Sequence, residues 1–346
     1  MTSERSTNAS GAMGSGLALP PVDPNASALA ARFRRFLTPS AIAYGLVVVL
    51  FVAGELLSPG FLSTRQVLNV LRVASFLGIV AAGQTLVVLS GGEGIDLSVG
   101  AVMSLAAVMT AHITQGRDAY VLQALAQVLA VGFALGAVNG IGVAFLRIPP
   151  LVMTLGMSGV VQGLTLVYTQ GIPKGRAAPI LNEIVTKPWI AGIPGILVIW
   201  LALAVLMAIL LGRTSFGRRL YAIGANRRAA ALSGIHVPWM LVVIYGASGM
   251  LAALAGFLFV GYTTTVFLDI GGDYVLRSVA AVVVGGTSLA GGMGTYTGTV
   301  AGSIVLTLLQ SILTTLRLGE AARQVVHGLV LVLLLAAYGR QRALRQ

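Results

Sequence analysis

Long apolar runs recur along most of this chain, and they restrict the folds that it can adopt. A helix needs roughly 20 apolar residues to cross a bilayer, and runs near that length occur from residue 40 to residue 338. The predicted spans are 40–57, 66–90, 97–114, 120–145, 150–170, 195–212, 239–261, 274–290, 295–316 and 322–338. The sequence therefore predicts an all-α integral membrane protein with about ten transmembrane helices.

The composition agrees with a membrane protein. Of the 346 residues, 57% are hydrophobic and only 9% are charged, whereas about a quarter of the residues of soluble domains are charged. The 44 glycines suit helices that pack closely in lipid. Rows of glycine four residues apart predict close packing within one subunit: Gly132, Gly136 and Gly140; Gly159 and Gly163; and Gly294, Gly298 and Gly302. The absence of cysteine excludes disulfides and thiolate metal sites.

Some of the predicted helices are short or broken. The spans 97–114 and 274–290 could be half-helices, which would leave eight full spans. Residues 87–97 weakly resemble residues 282–292, because in both an apolar run is broken by a glycine cluster with small polar residues. Paired broken helices are typical of transporters with an inverted repeat. We therefore predict an inverted repeat in this chain.

The basic residues indicate an orientation. Residues 1–39 are rich in Ser, Ala, Gly and Pro and are predicted to be a disordered tail. Cytoplasmic segments carry an excess of Lys and Arg, and with the N-terminus inside they hold 13 of the 22 basic residues. We predict a multi-pass protein of the cell (inner) membrane, with a transmembrane domain at 40–338 and cytoplasmic tails at 1–39 and 339–346. Orientation explains the net charge of +12 better than nucleic-acid binding does.

The loop at residues 213–238 has five arginines and no acid. Asn226 is a predicted helix N-cap, and Gly234 stands where a short helix would end in a left-handed residue. A structured basic loop between two membrane spans indicates a cytoplasmic surface that docks a soluble motor subunit.

Catalytic and cofactor sites are not predicted. The three histidines, His112, His236 and His327, lie in distant segments without metal-ligand spacing. The phosphate-binding pattern G-x-x-x-x-G-K-[ST] does not occur. We therefore predict a non-enzymatic transport subunit without cofactor or metal, whose energy comes from a separate subunit or from a gradient.

A few polar residues in or between the spans are candidates for the translocation pathway or its gate. Asp96 and Ser98 lie in the glycine-rich segment 90–100, where either could cap the next helix. Capping alone and a role near the pathway are about equally favoured for Asp96. Gln84 and Asn139 lie within spans, where they could bind a hydroxylated solute or tie helices together.

Three separated strings resemble the permease subunits of ribose- and xylose-type ABC importers. They are GIDLSVGA at 94–101, the loop with GR at 217–218, AIGAN at 222–226 and LSGI at 232–235, and AVVVGGTSLAGGMG at 281–294. The resemblance runs from about residue 40 to 340. It departs from the family pattern at Glu93 and Gly94, which look inserted.

The resemblance implies a type II-like importer permease. Permeases of that family dimerise, receive solute from an extracytoplasmic binding protein and dock two ATPase subunits on the central cytoplasmic loop. It assigns to ATPase coupling Gly217, Arg218, Gly224, Asn226, Ser233 and Gly234. The expected partners are an ABC ATPase, a solute-binding protein, a second permease copy or paralogue, and membrane lipid, but no nucleic acid.

The favoured function is import of a small polar solute, above all a monosaccharide of the ribose or xylose type, driven by separate ATPase subunits. The same superfamily carries nucleosides, amino acids and other small solutes, so these stay open. A gradient-driven carrier or channel is the alternative of a different class, and it would be active without partners. A membrane-embedded enzyme would need a catalytic constellation that the sequence does not contain.

Overall fold

The computed structural model describes residues 38–190, 192–319, 321–326 and 328–329. Its helices are α1 (Pro39–Leu57), α2 (Thr64–Leu89), α3 (Val99–Thr114), a 3-10 turn (Asp118–Tyr120), α4 (Val121–Ala144), α5 (Pro150–Thr169), α6 (Pro179–Thr186), α7 (Gly195–Arg213), α8 (Ser215–Ala225), α9 (Arg227–Leu232), α10 (Val237–Thr263), α11 (Tyr274–Val284) and α12 (Tyr296–Thr315). A small antiparallel hairpin, β1 (Pro188–Ile190) and β2 (Ile193–Pro194), precedes α7. Within the described residues, each predicted span from 40–57 to 295–316 contains a helix, as predicted.

The helices of membrane length follow the predicted spans. In the described residues, α1, α2, α4, α5, α7, α10 and α12 are long and apolar enough to cross a bilayer. The predicted spans 97–114 and 274–290 form the shorter helices α3 and α11, of 16 and 11 residues, which agrees with the half-helix alternative. The prediction of a helix to residue 290 is wrong, because α11 ends before Gly286, whose φ of +87° is left-handed.

Some predictions fall outside what the structure describes. Most of the span 322–338 belongs to this group, although residues 321–326 are helical. The predicted tail 339–346 and residues 1–37 of the predicted tail 1–39 also lie outside the described residues.

Two central helices organise the bundle. α10 packs along α4, α3 and α2, and α2 also contacts α12, α11 and α7. Most residues of α2 and α10 are buried, whereas α1 and α5 expose most of their side chains. α1 packs against α12, and the exposed apolar residues on its remaining surface are what a lipid-facing position favours.

Glycine decides how closely α4 and α10 approach. A Cβ atom on Gly132 would lie 2.6 Å from the Ala253 Cβ, and one on Gly140 would lie 2.5 Å from the Val242 Cα. Between them, Gly136 lies directly against the backbone of Tyr245. This row therefore packs within the subunit, as predicted.

The row on α5 behaves differently. A Cβ atom on Gly159 or Gly163 would meet no atom within 4 Å. The prediction that this row packs within the subunit is wrong, because α5 buries only the stripe on its opposite face: Thr154, Met157, Val161, Thr165 and Thr169. The glycine row of α5 is left open for contact with something outside the chain.

The two glycine clusters that resemble each other in sequence meet in space. The first forms a helix break at residues 90–98, between α2 and α3, and the second forms a break at residues 285–295, between α11 and α12. The Gly292 N–H donates to the Leu89 carbonyl at 3.0 Å, and Gly291 packs on the Gly91 backbone. The inverted repeat that the resemblance suggests stays a prediction.

The packing of α4 on α10 can be tested with a pair of glycine variants. Gly136→Ala should lower the melting temperature of the purified chain in detergent, because overpacking of this kind typically costs about 1–3 kcal/mol. The matched control Gly159→Ala adds the same methyl group to an open helix face and should leave the melting temperature unchanged or slightly higher. Equal destabilisation by both variants would contradict the assigned packing.

Candidate functional site

The 213–238 loop folds into two short capped helices, α8 and α9. The Thr214 Oγ1 accepts from the Gly217 N–H at 3.2 Å and caps α8. The Asn226 Oδ1 accepts from the N–H groups of Arg228 at 3.0 Å and Ala229 at 3.1 Å, which confirms the predicted N-cap of α9. Gly234 follows with a φ of +80°, the left-handed residue expected after the helix. The loop is therefore an ordered surface.

One face of the loop is fastened to the two helix breaks. The Arg227 Nη2 donates to the Gly91 carbonyl at 2.8 Å, and the Tyr221 hydroxyl donates to the Gly294 carbonyl at 2.8 Å. Gly224 lies directly against the Leu89 carbonyl and Gly292, where any side chain would collide. The inner face of the loop is therefore in direct contact with both breaks.

Arg227 is a half-buried cation bound by backbone carbonyls. Burial lowers the pKa of its guanidinium, because desolvation disfavours the charged form. Within the described residues it has no carboxylate at ion-pair distance, and its Nε is buried without a hydrogen-bond partner. The Gly91 carbonyl therefore provides its main anchor, with a longer contact to the Ser90 carbonyl at 3.5 Å.

The opposite face of the loop is open. Arg218, Arg228, Ser233 and Gly234 are exposed, and Leu232 is 91% exposed. The Arg218 guanidinium makes a 3.4 Å contact with the Arg213 carbonyl, on its own loop. The loop thus combines a basic outer face with an inner face bound to the bundle.

Behind the first break lies a buried polar network centred on Asp96. The Asp96 Oδ1 accepts from the Ser98 N–H at 3.0 Å and from the Ser98 hydroxyl at 2.6 Å. Its Oδ2 accepts from the Ser248 hydroxyl at 2.8 Å. The Asn139 Nδ2 in turn donates to the Ser98 Oγ at 2.9 Å. One carboxylate therefore connects the break to α10 and, through Ser98, to α4.

The backbone of the break is held as well. With the Gln84 amide oriented so that its oxygen faces the Asp96 N–H, the amide makes two bonds to the Asp96 backbone, each 3.2 Å long. The Thr154 hydroxyl donates to the Ile95 carbonyl at 3.1 Å. Side chains from α2, α4, α5 and α10 therefore satisfy polar groups that have left helical geometry.

The structure brings all four candidate pathway residues together: Gln84, Asp96, Ser98 and Asn139 belong to the one network, and none has measurable exposure. The prediction that Asp96 or Ser98 caps α3 is wrong, because no side chain accepts from the first N–H groups of that helix. Instead Asp96 binds Ser98 two residues on, as in an Asx turn. Sequence reasoning missed Ser248 and Thr154, since single hydroxyls in apolar helices usually bond their own backbone.

The two residues that look inserted before the network form a tight turn. Gly91, Gly92 and Glu93 all have left-handed φ values, of 69°, 62° and 60°. The Gly94 N–H closes the turn on the Gly91 carbonyl at 3.2 Å. Glu93 points outward and is exposed. The turn therefore accommodates the two residues that look inserted, and Asp96 stays buried.

Comparison with known proteins assigns the family. The family described as "Branched-chain amino acid transport system / permease component" matches residues 66–335. The chain belongs to this family. The match includes both helix breaks and the whole 213–238 loop.

Individual relatives are similar over most of their length. The ribose import permease protein RbsC of Escherichia coli strain K12 is 36% identical over 301 residues, which cover 83% of this chain and 89% of the relative. The protein of the same name from Bacillus subtilis is 36% identical over 293 residues, 84% of this chain and 89% of the relative. The autoinducer 2 import system permease protein LsrC of Salmonella paratyphi B is 34% identical over 311 residues, 88% of this chain and 87% of the relative. No solved structure matches this chain.

Variants of Asp96 separate hydrogen bonding from charge. Asp96→Ala leaves the buried donors of Ser98 and Ser248 unpaired, at roughly 1–3 kcal/mol for each group, and should lower both the melting temperature and transport in reconstituted vesicles. Asp96→Asn keeps an acceptor for Ser98 and presents an amide to the Ser248 hydroxyl, so its effect should be mild. Ser248→Ala removes one bond and should be intermediate. If the Asn and Ala variants were equally inactive with normal assembly, the negative charge itself would be required.

Proposed function

We propose that this chain is the membrane-spanning permease subunit of an ATP-driven ABC importer for a small polar solute, most favourably a monosaccharide. The observation that carries the proposal is the double attachment of the 213–238 loop, whose inner face binds both helix breaks while its basic outer face is free. Relatives named as ribose and autoinducer 2 import permeases support it.

In the proposed mechanism the ATPase subunit docks on the outer face of the loop, at Arg218, Ser233 and Gly234. Movement of α8 and α9 then acts through Arg227 and Gly224 on the first break, and through Tyr221 on the second. Packed backbones transmit such shifts well, because close-packed interiors do not deform continuously.

In this proposal the Asp96 network is the hinge at which the gate of the pathway opens and closes. Its members are fully buried, so they are positioned to hold the start of α3 rather than to touch solute in this conformation. Alternating access requires rearrangement of helix segments around the solute site, and in this proposal the break held by side chains from four helices is where that rearrangement occurs.

A separate cavity suits the solute better. It has a volume of about 240 Å³ and opens between α3, α5 and the segment before α11, with Ser104, Gln162, Thr165 and Asp269 among its lining residues. Hydroxyl, amide and carboxylate groups can exchange hydrogen bonds with a polyhydroxylated solute. We infer that solute passes through this cavity, beside α5.

The remaining partners follow from the same proposal. A second permease copy or a paralogue would close the pathway against α5, whose open glycine row permits close helix approach. A solute-binding protein would deliver solute at the end of the bundle away from the 213–238 loop. The termini and that loop would face the cytoplasm, in the orientation that the basic residues favour, and the bilayer would be the cell inner membrane.

Transport by the complete complex tests the function. We expect vesicles that contain this permease, its ATPase and its binding protein to accumulate a labelled pentose only when ATP and the binding protein are both supplied. Accumulation by the permease alone, driven by an ion gradient, would favour the carrier alternative. Binding-protein-dependent accumulation of an amino acid or nucleoside but not a sugar would keep the importer and overturn the solute class.

Arg227 provides a test of coupling. Arg227→Gln shortens the side chain and removes the cation that binds the Gly91 carbonyl, and charge-assisted bonds are worth about 1.5–3 kcal/mol. We expect the amount of solute moved per ATP hydrolysed to fall several-fold while the ATPase stays bound. Arg227→Lys, which keeps a charged donor, should retain more coupling.

The neighbouring arginine is the matched control. Arg228 lies on the exposed face, so Arg228→Gln should alter ATPase affinity if it has any effect, and should leave transport per ATP unchanged. A loss of ATPase binding in the Arg227 variant, without a change in transport per ATP, would show that Arg227 belongs to the docking surface instead.

A further inference from the structure

A cationic cavity lies at the end of the bundle opposite the 213–238 loop. It is formed where α1 ends and α2 begins, close to the end of α12, and has a volume of about 600 Å³. Its polar lining includes Ser58, Ser63, Arg65, Asn69, Arg72 and Thr315. The other end of α2 contacts the loop at Leu89, about 38 Å away at 1.5 Å per helical residue. This cavity, which we call the Arg65–Arg72 cavity, is therefore remote from the coupling contacts.

The two arginines of the cavity are without an ion-pair partner among the described residues. Within the described part of the chain, neither Arg65 nor Arg72 forms an ion pair or a side-chain hydrogen bond, and the Arg72 Nε is buried without a partner. Glu55, near the end of α1, binds the turn that follows the helix. Its two oxygens accept from the N–H groups of Gly60 at 3.0 Å and Leu62 at 2.7 Å. Arg65 is exposed, whereas Arg72 is half-buried, and a cation inside a membrane span without a partner is costly and usually marks a function.

The arrangement along α2 directs both cations to one place. Arg65, Asn69 and Arg72 stand at helical spacings of four and three residues and share a face. The Cα–Cβ bonds of a helix tilt towards its N-terminus, so the deeper Arg72 extends towards Arg65 and the membrane surface, as long basic side chains do near helix ends. Two guanidinium groups and an amide therefore line one cavity.

Exposed leucines adjoin the lining residues of the cavity in sequence. Leu56 is 81% exposed, and Leu57 and Leu62, which flank the turn at residues 58–61, are also exposed. These leucines belong to the end of a membrane-length helix and the turn after it. An anion site at the membrane interface, bordered by exposed aliphatic side chains, matches a ligand with an anionic head and hydrocarbon tails.

We propose that the Arg65–Arg72 cavity binds the phosphate-bearing headgroup of an anionic phospholipid, with its acyl chains along Leu56, Leu57 and Leu62. Guanidinium groups bind phosphate oxygens in bidentate geometry, so two arginines that line one cavity suit a phosphate group. A neutral sugar would not need two unpaired cations, so the cavity is distinct from the proposed solute site.

Native mass spectrometry of the purified full-length chain tests this assignment. Short-chain phosphatidylglycerol should be retained more strongly than short-chain phosphatidylcholine, which has a phosphate but no net charge. The double variant Arg65→Gln/Arg72→Gln should lose at least about tenfold in phosphatidylglycerol affinity, since a charge-assisted bond of about 1.5 kcal/mol corresponds to that factor. Arg72→Lys should keep part of the affinity if the positive charge is what the headgroup recognises.

Arg117→Gln is the matched control. Arg117 is an exposed arginine at the same end of the bundle, stacked over Tyr120 and outside the cavity, so its replacement should leave lipid retention unchanged. Equal retention of the two lipids, or equal loss in the Arg117 variant, would overturn the proposal. Displacement of phosphatidylglycerol by equimolar inorganic phosphate would identify a free-anion site instead. Unchanged lipid affinity in the double variant, together with lost stimulation by the binding protein, would assign the cavity to an acidic protein surface.

Discussion

The backbone at residues 90–98 leaves helical geometry within an apolar bundle, and its polar groups must find partners inside the protein. Lipid supplies none, and an unsatisfied group there costs several kcal/mol. The Asp96 carboxylate binds Ser98 and Ser248. Gln84 binds the Asp96 backbone, and Thr154 binds the Ile95 carbonyl. The break exists because four surrounding helices contribute these groups, and the packing of those helices in turn depends on the break.

The 213–238 loop contacts this break directly. The loop reaches the break through Arg227 and through the backbone of Gly224, which no larger residue could replace without separating the contact. The second break reaches the same point through Gly292 and Leu89. Close contacts thus connect α8 and α9 to the start of α3 and, beyond it, to the buried Asp96 carboxylate.

Two of the three glycine rows show that one sequence pattern can occur in different surroundings. On α4, Gly132 and Gly140 permit contact with α10 inside the subunit, whereas on α5 the face with Gly159 and Gly163 stays open. Glycines at four-residue spacing predict a flat face on a helix. They do not predict which helix, or which chain, covers that face.

The sequence by itself determined the class of fold, most of the spans and the capped helix in the 213–238 loop, because these depend on local quantities: apolar run length, cap residues and the turn preference of glycine. It also singled out Gln84, Asp96, Ser98 and Asn139 as unusual polar residues among apolar ones. Only the tertiary structure decided that these four form one network, that Ser248 completes it, that Asp96 binds Ser98 rather than capping α3, and that the two glycine clusters touch. The Ser248 bond to Asp96 spans 152 positions and the Asn139 bond to Ser98 spans 41, and nothing in the sequence specifies which helices bring such residues together.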